Sequence, residues 1–254
     1  MPIDQEDPDY VTALARGLAV IRAFGKGAEN LTLSDVAEAA GVNRGATRRS
    51  LLTLESLGYV QQQDRHFRLS PRVMELGFSY LSSLPLWEHA QPVMKSIVDQ
   101  IDESCSLAVL DGSDVVYLAR VPPRHIYTIP VPVGARMPAY VNAMGRVLLA
   151  ELDPVSLADY FQHTEIKKVN AHTVTDEGEL RAILSEVRKS GFAMPEHEMH
   201  DGRRSIAVPI RNRAGHAVAA LNISAMMSRA SREDFLGKFL PLLRNAAATL
   251  TPSI

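Results

Sequence analysis

The chain has 254 residues, 46% of them hydrophobic and 22% charged, an ordinary globular composition that excludes a disordered or fibrous class. Its formal net charge of −2 excludes general nucleic-acid stickiness through net charge, so any DNA contact must come from a local patch. Cys105 is the only cysteine, which excludes an internal disulfide and a cysteine metal cluster and fits a reducing cytoplasm. The acidic, polar start is the opposite of a secretory leader, and no run of about eighteen apolar residues is present to span a membrane. The expectation is a soluble cytoplasmic protein, long enough for two modest domains.

In chain order, Leu14, Leu18 and Ile21 recur at i, i+4 and i+7 and predict an amphipathic helix that stops near Gly25 and Gly27. Thr32 is placed to cap a short helix over Leu33 to Ala40, with Asp35 in its first turn, where the helix dipole favours an acid. Gly41 breaks that helix, and Asn43 caps the next, which runs to about Leu57 and ends at Gly58. Alternating segments at 59–62 and 66–69 flank the polar Gln63-Asp64-Arg65 and read as a hairpin. Pro71 opens a helix to about Ser83 with Val73, Leu76 and Tyr80 as its stripe. A further helix follows from Leu86 to Ile101, with Ala90, Val93, Ile97 and Ile101 inward.

From Cys105 the period changes to strands, at 106–110 and 115–121. The proline-rich 122–138 stretch is expected to be mostly extended or loop. Helices are predicted at about 143–151, 154–161 and 177–190, strands at 205–211 and 217–224, and a last helix from Ser231 to Leu250 with Phe235, Phe239, Leu242 and Leu250 inward. The boundary between a helical unit and a mixed sheet unit falls near residues 71 to 85.

The third helix concentrates charge. At 100° per residue, Thr47, Leu51 and Leu54 form a packed face flanked by Ser50 and Leu57, while Arg44, Gly45, Arg48 and Arg49 fill the opposite arc at the N-terminal end. Guanidinium forks suit both phosphates and the O6/N7 edge of guanine. The Ala37-x-x-x-Gly41 spacing permits a tight two-helix corner before it, and the hairpin adds a wing carrying Arg65 and His66. These features together predict a winged helix-turn-helix contacting double-stranded DNA through Thr32, Asn43, Arg44, Gly45, Arg48, Arg49, Arg65 and His66. Ser50, where such corners usually bury an aliphatic side chain, and Glu55, which would oppose a phosphate, depart from the pattern.

Leu33-Ser-Asp-Val-Ala-Glu-Ala-Ala-Gly-Val-Asn, Leu51-Leu-Thr-Leu-Glu-Ser-Leu-Gly-Tyr-Val and Phe67-Arg-Leu-Ser-Pro-Arg-Val-Met-Glu-Leu-Gly resemble the DNA-binding domain of IclR-type bacterial transcriptional regulators. In the second half, Pro132-Val-Gly-Ala-Arg-Met-Pro, Asn142-Ala-Met-Gly-Arg-Val-Leu-Leu-Ala, Gly202-Arg-Arg-Ser-Ile-Ala-Val-Pro-Ile and Asn222-Ile-Ser followed by Ser228-Arg resemble the effector domain of the same family. The likeness covers about residues 10 to 250. The arginine pair after Ala-Thr and the Leu-Gly-Phe-Ser-Tyr-Leu-Ser-Ser run look like the branch controlling aromatic-acid breakdown by the β-ketoadipate route, whose members respond to protocatechuate, 4-hydroxybenzoate or β-ketoadipate.

The resemblance implies an α+β chain: a winged helix-turn-helix over 1–70, a linker helix over 71–84, and a GAF-like effector and oligomerisation domain over 85–254. That domain would be a curved antiparallel sheet with helices on its convex side and a ligand cup on the concave side. It implies an effector-responsive regulator of a catabolic operon that binds operator DNA as a dimer or dimer of dimers, with no cofactor and no catalysis. The effector cup carried over is Ile126, Ile129, Ala143, Met144, Pro195, Glu198, Ser205, Asn222 and Ser224. Strand alternation independently puts Asn222 and Ser224 on one face. Ile126, Ile129 and Met144 would wall a ring or chain, and open amides at the start of the 143–151 helix would favour an anion. Pro195 and Asn222 depart from better known relatives and leave the ligand open.

Two other readings follow from the residues. One is a small-acid-processing enzyme with an appended DNA-binding head, although no Gly-x-Ser-x-Gly elbow is present. The other is an adaptor whose winged helix binds protein. His197 and His200 have helical ligand spacing but sit in a predicted loop without a His-Glu-x-x-His pattern, so no metal is expected. No nucleotide-binding loop occurs.

Overall fold

A computed structural model describes residues 6–26, 29–125 and 130–251. The chain divides into two compact units, Met1–Tyr80 and Leu81–Ile254.

In the first unit, helices α1 (Thr12–Ala23), α2 (Leu33–Ala40) and α3 (Arg44–Ser56) enclose a small core of Val20, Ala23, Val36, Leu51, Leu54, Val60 and Phe67. Thr32 caps α2 in a reciprocal box: its hydroxyl accepts from the Asp35 amide, and the Asp35 carboxylate accepts from the Thr32 amide and hydroxyl at 2.8 and 2.7 Å. Those bonds hold the Asp35 carboxyl below its ordinary pKa, the Thr32 hydroxyl contributing most. Gly41 closes α2 at φ +66°, the left-handed geometry glycine takes without strain. Strands β2 (Val60–Gln63) and β3 (His66–Leu69) form the expected hairpin. A two-residue strand, β1 (Leu31–Thr32), pairs with β3 and completes a β1-β3-β2 sheet; two residues are too few to show a period in sequence. The helix expected from Pro71 begins as a 3-10 turn over Pro71–Val73 and continues as α4 (Met74–Leu81). Of its expected stripe Val73 is half-buried while Leu76 and Tyr80 are exposed, and Met74 and Phe78 on the other side of the helix are exposed as well.

The second unit is built on a five-stranded antiparallel sheet of order β6-β5-β4-β8-β7, comprising β4 (Ser104–Asp111), β5 (Asp114–Val121), β6 (Arg136–Pro138), β7 (Arg203–Arg211) and β8 (Ala217–Met226). β6 is a short edge strand at the end of the stretch expected to be mostly extended or loop. One face of the sheet carries Cys105, Leu107, Ile206, Val208, Leu221 and Ile223 and packs on α5 (Pro85–Ile101) and the C-terminal helix. The other face carries Ala108, Val115, Tyr117, Ala207 and Ala220 and packs on α6 (Ala143–Glu151), with α7 (Pro154–His163) and α8 (Glu177–Ser190) behind. Helices therefore cover part of both faces, more than the convex-side-only arrangement expected.

The C-terminal helix consists of α9 (Arg232–Asp234), a π-helical turn over Phe235–Phe239 and α10 (Leu240–Leu250). The π turn explains one correction. Leu243 is fully buried and Leu242 only partly so, because the turn inserts one residue into the helical period and moves the inward position on by one. The turn ends just before Pro241, whose missing N–H and bulky ring oppose a regular i−4 bond there.

α6 lies unusually close to its neighbours. The sheet beneath it is alanine (Ala108, Ala207, Ala220), and a Cβ added at Gly145 would fall 2.2 Å from the Ala139 carbonyl oxygen and 2.4 Å from its Cα. Gly145→Ala is expected to destabilise the second unit by about 1–3 kcal/mol through overpacking against backbone. Urea unfolding followed by circular dichroism checks this; an unchanged midpoint would mean that the 139–141 turn moves aside freely.

Candidate nucleic-acid interface and effector cavity

Asn43 caps α3 by accepting from the Ala46 amide at 2.9 Å. Ala46, Thr47, Leu51 and Leu54 are buried, and the Thr47 hydroxyl is satisfied by the Val42 and Asn43 carbonyls at 3.2 and 3.0 Å. Ser50 is half-buried and Leu57 exposed, so the packed face is narrower at its C-terminal end than the periodicity suggested. Arg44, Gly45, Arg48 and Arg49 are exposed on the opposite arc, and among the described residues no ion pair engages these arginines. Arg49 also borders a groove with Leu14, Leu18 and Ile21 of α1. At the wing, Arg65 is exposed beside Asp64, which adopts φ +55°. His66 is half-buried and pairs in register with Thr32. Thr32, with hydroxyl and amide both engaged by Asp35, has a capping role already filled.

The second unit holds a partly enclosed cavity on the α6 face of the sheet, just beyond the helix N-terminus. Its floor follows from register. Ser104 pairs with Ser224 and Ser224 with Ser205, while Ser106 pairs with both Asn222 and Arg120. These side chains share the face on which Ala108, Ala207 and Ala220 meet α6. Where the helix stops, alanine gives way to hydroxyl, amide and guanidinium groups. A bulge on β5 adds to the floor: Leu107 pairs with Ala119 and Ala108 with Tyr117, so Leu118 is skipped and Tyr117 reaches the same face as Arg120, three residues away.

Within the floor, Asn222 Oδ1 accepts from the Ser106 amide at 3.1 Å, and the Ser205 hydroxyl donates to Ser224 Oγ at 2.9 Å. Arg203 Nη2 and Nε donate to Ser224 Oγ at 3.3 and 3.4 Å. At the wall, Asn142 caps α6 with Oδ1 and donates from Nδ2 to the Tyr117 hydroxyl at 3.1 Å. Burial pushes the Tyr117 hydroxyl above its ordinary pKa, with the Asn142 bond opposing. Burial holds Arg120 and Arg203 below the usual guanidinium range, and the Arg203 charge adds to the effect on Arg120. Both remain cations at neutral pH. Burial and the Arg203 charge also depress the His200 imidazole.

Ala143, Pro195, Glu198, Ser205, Asn222 and Ser224 line this cavity. Met144 does not; it is fully buried in the core on the α6 side, and its amide, expected to be open for an anion, is taken by Asn142 Oδ1 at 2.9 Å. Ile126 and Ile129 lie outside the described residues, and Val131, Met137, Val141 and Met199 supply apolar lining. Glu198 is the acid among the described lining residues, and its two oxygens accept from Arg146 Nη1 and Nη2, both at 2.7 Å, in a buried bidentate pair. Arg204 turns to the other layer, binding Glu196 and lying over Phe235, and Arg136 is held by Asp111 and Asp114.

Arg120 and Arg203 were not singled out from the sequence. Arg203 could have been found as the residue two before Ser205. Arg120 was hidden because the bulge breaks the alternation from Tyr117. Cys105 is buried, and its thiol is pushed up by that burial. Among the described residues no helix is long and apolar enough to cross a membrane.

A winged helix-turn-helix unit followed by a sheet unit with a polar, cationic cavity is the layout of a ligand-responsive transcriptional regulator. Residues 13–64 match the IclR helix-turn-helix domain, and residues 78–251 match the bacterial transcriptional regulator IclR C-terminal domain. The chain belongs to the IclR family of DNA-binding transcriptional regulators and is not an enzyme. It is 40% identical to the Pca regulon regulatory protein of Pseudomonas putida, over 96% of this chain and 84% of that one. It is 35% identical to the p-hydroxybenzoate hydroxylase transcriptional activator of Acinetobacter baylyi, over 95% and 91%. An IclR homologue from Microbacterium hydrocarbonoxydans, solved in complex with 4-hydroxybenzoate, superposes with a TM-score of 0.83 at 26% identity, covering 95% of this chain and 98% of that one.

The Arg146–Glu198 pair fastens the loop that borders the cavity to α6. Removing one partner strands a buried charge, so Glu198→Ala is expected to cost about 3–5 kcal/mol, read as a lowered unfolding midpoint of the second unit's transition. A loss below about 1 kcal/mol would show that water reaches Arg146 without strain.

Proposed function

We propose that the effector is a small aromatic or dicarboxylic acid whose carboxylate lies between Arg120 and Arg203. Ser205, Asn222 and Ser224 act as neutral donors, and Tyr117 with Asn142 meets a second polar group. Ala143, Pro195 and the Glu198 loop border the ligand. The observation that carries this reading is electrostatic: two partly desolvated guanidinium groups share a cavity whose described acid is already neutralised by Arg146. Such a site gains most from an anion. The P. putida and A. baylyi relatives, together with the homologue bound to 4-hydroxybenzoate, support an aromatic-acid catabolic operon as the target.

On the DNA side, Arg44, Arg48 and Arg49 read or clamp the major groove, with Asn43 and Gly45 allowing close approach. Arg65 contacts phosphate from the wing, and Thr32 and His66 flank it. The chain acts in the cytoplasm as a homodimer or a dimer of dimers. The exposed apolar residues of α1 (Leu14, Leu18) and of α4 (Met74, Leu76, Phe78) support pairing through these helices. The functional division is a DNA-binding head over 1–70, a linker over 71–84 and an effector domain over 85–254.

Two substitutions test the two halves separately. Arg120→Gln and Arg203→Gln are each expected to weaken 4-hydroxybenzoate or adipate binding roughly 10- to 100-fold in calorimetry on the full-length protein, the scale of one charge-assisted hydrogen bond, while DNA binding without ligand is kept. Equal affinity in both variants would remove the arginines from the site.

Arg48→Ala is expected to lower affinity for an operator selected from a randomised duplex pool by about 5- to 100-fold without changing acid binding. An unaltered mobility-shift titration at fixed salt would take Arg48 out of the interface. Salt-insensitive association would instead indicate a protein partner.

A further inference from the structure

Two loops meet beside the cavity, and one asparagine shapes both. Asn170 Oδ1 accepts from the His172 amide at 2.9 Å, and Asn170 Nδ2 donates to the His197 carbonyl at 2.6 Å. The buried Thr173 adds a second staple, donating from its hydroxyl to the Glu198 carbonyl at 3.1 Å. His197 is held at φ +64°, a backbone conformation that non-glycine residues rarely adopt. As a result the His172 and His197 rings stand 5.1 Å apart. Asp201 completes the group: one ligand atom from each of His172, His197 and Asp201 lies within 4.8 Å of the others.

We propose that His172, His197 and Asp201 bind a divalent transition ion of the Zn²⁺ type. Two imidazoles and a carboxylate are a donor set zinc favours, with the fourth position left to water. The spacing suggested by the sequence, His197 with His200, is not the pairing used. His200 stands outside the group, and His172 arrives from a loop 25 residues earlier. Tetrahedral bonds of about 2.1 Å set donors roughly 3.4 Å apart, so the trio must close by up to about 1.4 Å. His172 and Asp201 are exposed and free to rotate inward.

One exchange accompanies binding. The Gly202 amide donates to His197 Nδ1 at 3.1 Å. A metal on Nδ1 displaces that amide, and a metal on Nε2 puts the ring proton on Nδ1, facing it. Either way one neutral hydrogen bond is given up for a metal–imidazole bond. Arg203, a nearby cation in the chain, carries its guanidinium to Ser224 in the cavity, and Asp201 offsets part of the ion's charge. His197 also lines the cavity, but the metal site needs no acid bound there and survives failure of the effector reading.

The test uses untagged full-length protein, stripped with chelator and titrated with Zn²⁺ against a chromophoric competitor. One Zn²⁺ per chain is expected. His172→Ala and Asp201→Asn should each lower affinity at least about tenfold, and Asn170→Ala, which touches no metal, should lower it about tenfold by releasing both loops. His216→Ala, an exposed histidine next to the β7–β8 turn, should leave it unchanged. With Co²⁺, intense visible absorption of tetrahedral type should appear and be lost in His172→Ala. Failure to retain Zn²⁺, or anything short of a loss in both ligand variants, overturns the three-ligand site.

Discussion

The second unit depends on how closely α6 approaches its sheet. Alanines at 108, 207 and 220 remove side-chain bulk beneath the helix, and Gly145 lets the helix backbone pass the 139–141 turn where no Cβ fits. That approach divides one sheet face in two. Under the helix the face is dry and small-residue. Beyond Asn142, where the helix begins, the same strands present Ser104, Ser106, Ser205, Asn222 and Ser224. The cavity is therefore defined by where α6 starts, and Asn142 serves both sides of the border: its Oδ1 caps the helix and its Nδ2 reaches Tyr117. Arg146, one turn further on, donates to the Tyr140 carbonyl at 2.8 Å as well as to both oxygens of Glu198. A buried pair of this kind gains little net stability over apolar packing. Its consequence is placement, since it fixes the loop that walls the cavity to the helix that bounds it.

Arginine is used differently in the two units. In the second, Arg136, Arg146, Arg204, Arg211 and Arg229 each meet a carboxylate. In the first, Arg44, Arg48 and Arg49 stand exposed with no acid engaging them among the described residues. The chain's formal net charge of −2 is thus compatible with a strongly cationic helix face, because the acids are spent elsewhere. Attraction to a duplex through such a patch is local and falls with salt, while the back of the same helix is held by Ala46, Leu51 and Leu54.

Much of this was legible in the sequence because it is written locally. Capping residues Thr32 and Asn43, glycines at 41 and 58, and the periodicity of α3 and α5 mark their elements directly. Features set by register or by tertiary packing were not legible. β1 is too short to have a period, and the π turn before Pro241 moves the inward position from Leu242 to Leu243. The β5 bulge puts Tyr117 and Arg120 on one face against simple alternation. The effector positions carried over from the family found most of the neutral floor but neither of its cations. Met144, carried over with them, is fully buried in the core and does not line the cavity. His172 and His197 are 25 residues apart and are brought together by the bonds of Asn170 and Thr173 between their loops.

The electrostatics of the cavity also constrain how a signal can be sent. In the proposed reading an acid held between Arg120 and Arg203 gives relief from the repulsion of one guanidinium by the other, and its binding stabilises the folded second unit by mass action. Relief of this kind does not by itself alter DNA binding. A ligand shifts an equilibrium only by the difference in its affinity for the two states, typically about 1–3 kcal/mol. The groups able to supply a difference are those whose geometry is not already fixed. Asn142, Glu198 and the Ser205–Ser224 pair are locked by hydrogen bonds within the protein. Arg203 holds Ser224 through two long bonds of 3.3 and 3.4 Å, the weakest of the floor contacts. In the proposed reading a carboxylate competes for that guanidinium, and β7, which begins at Arg203, is the element through which the exchange would be felt first.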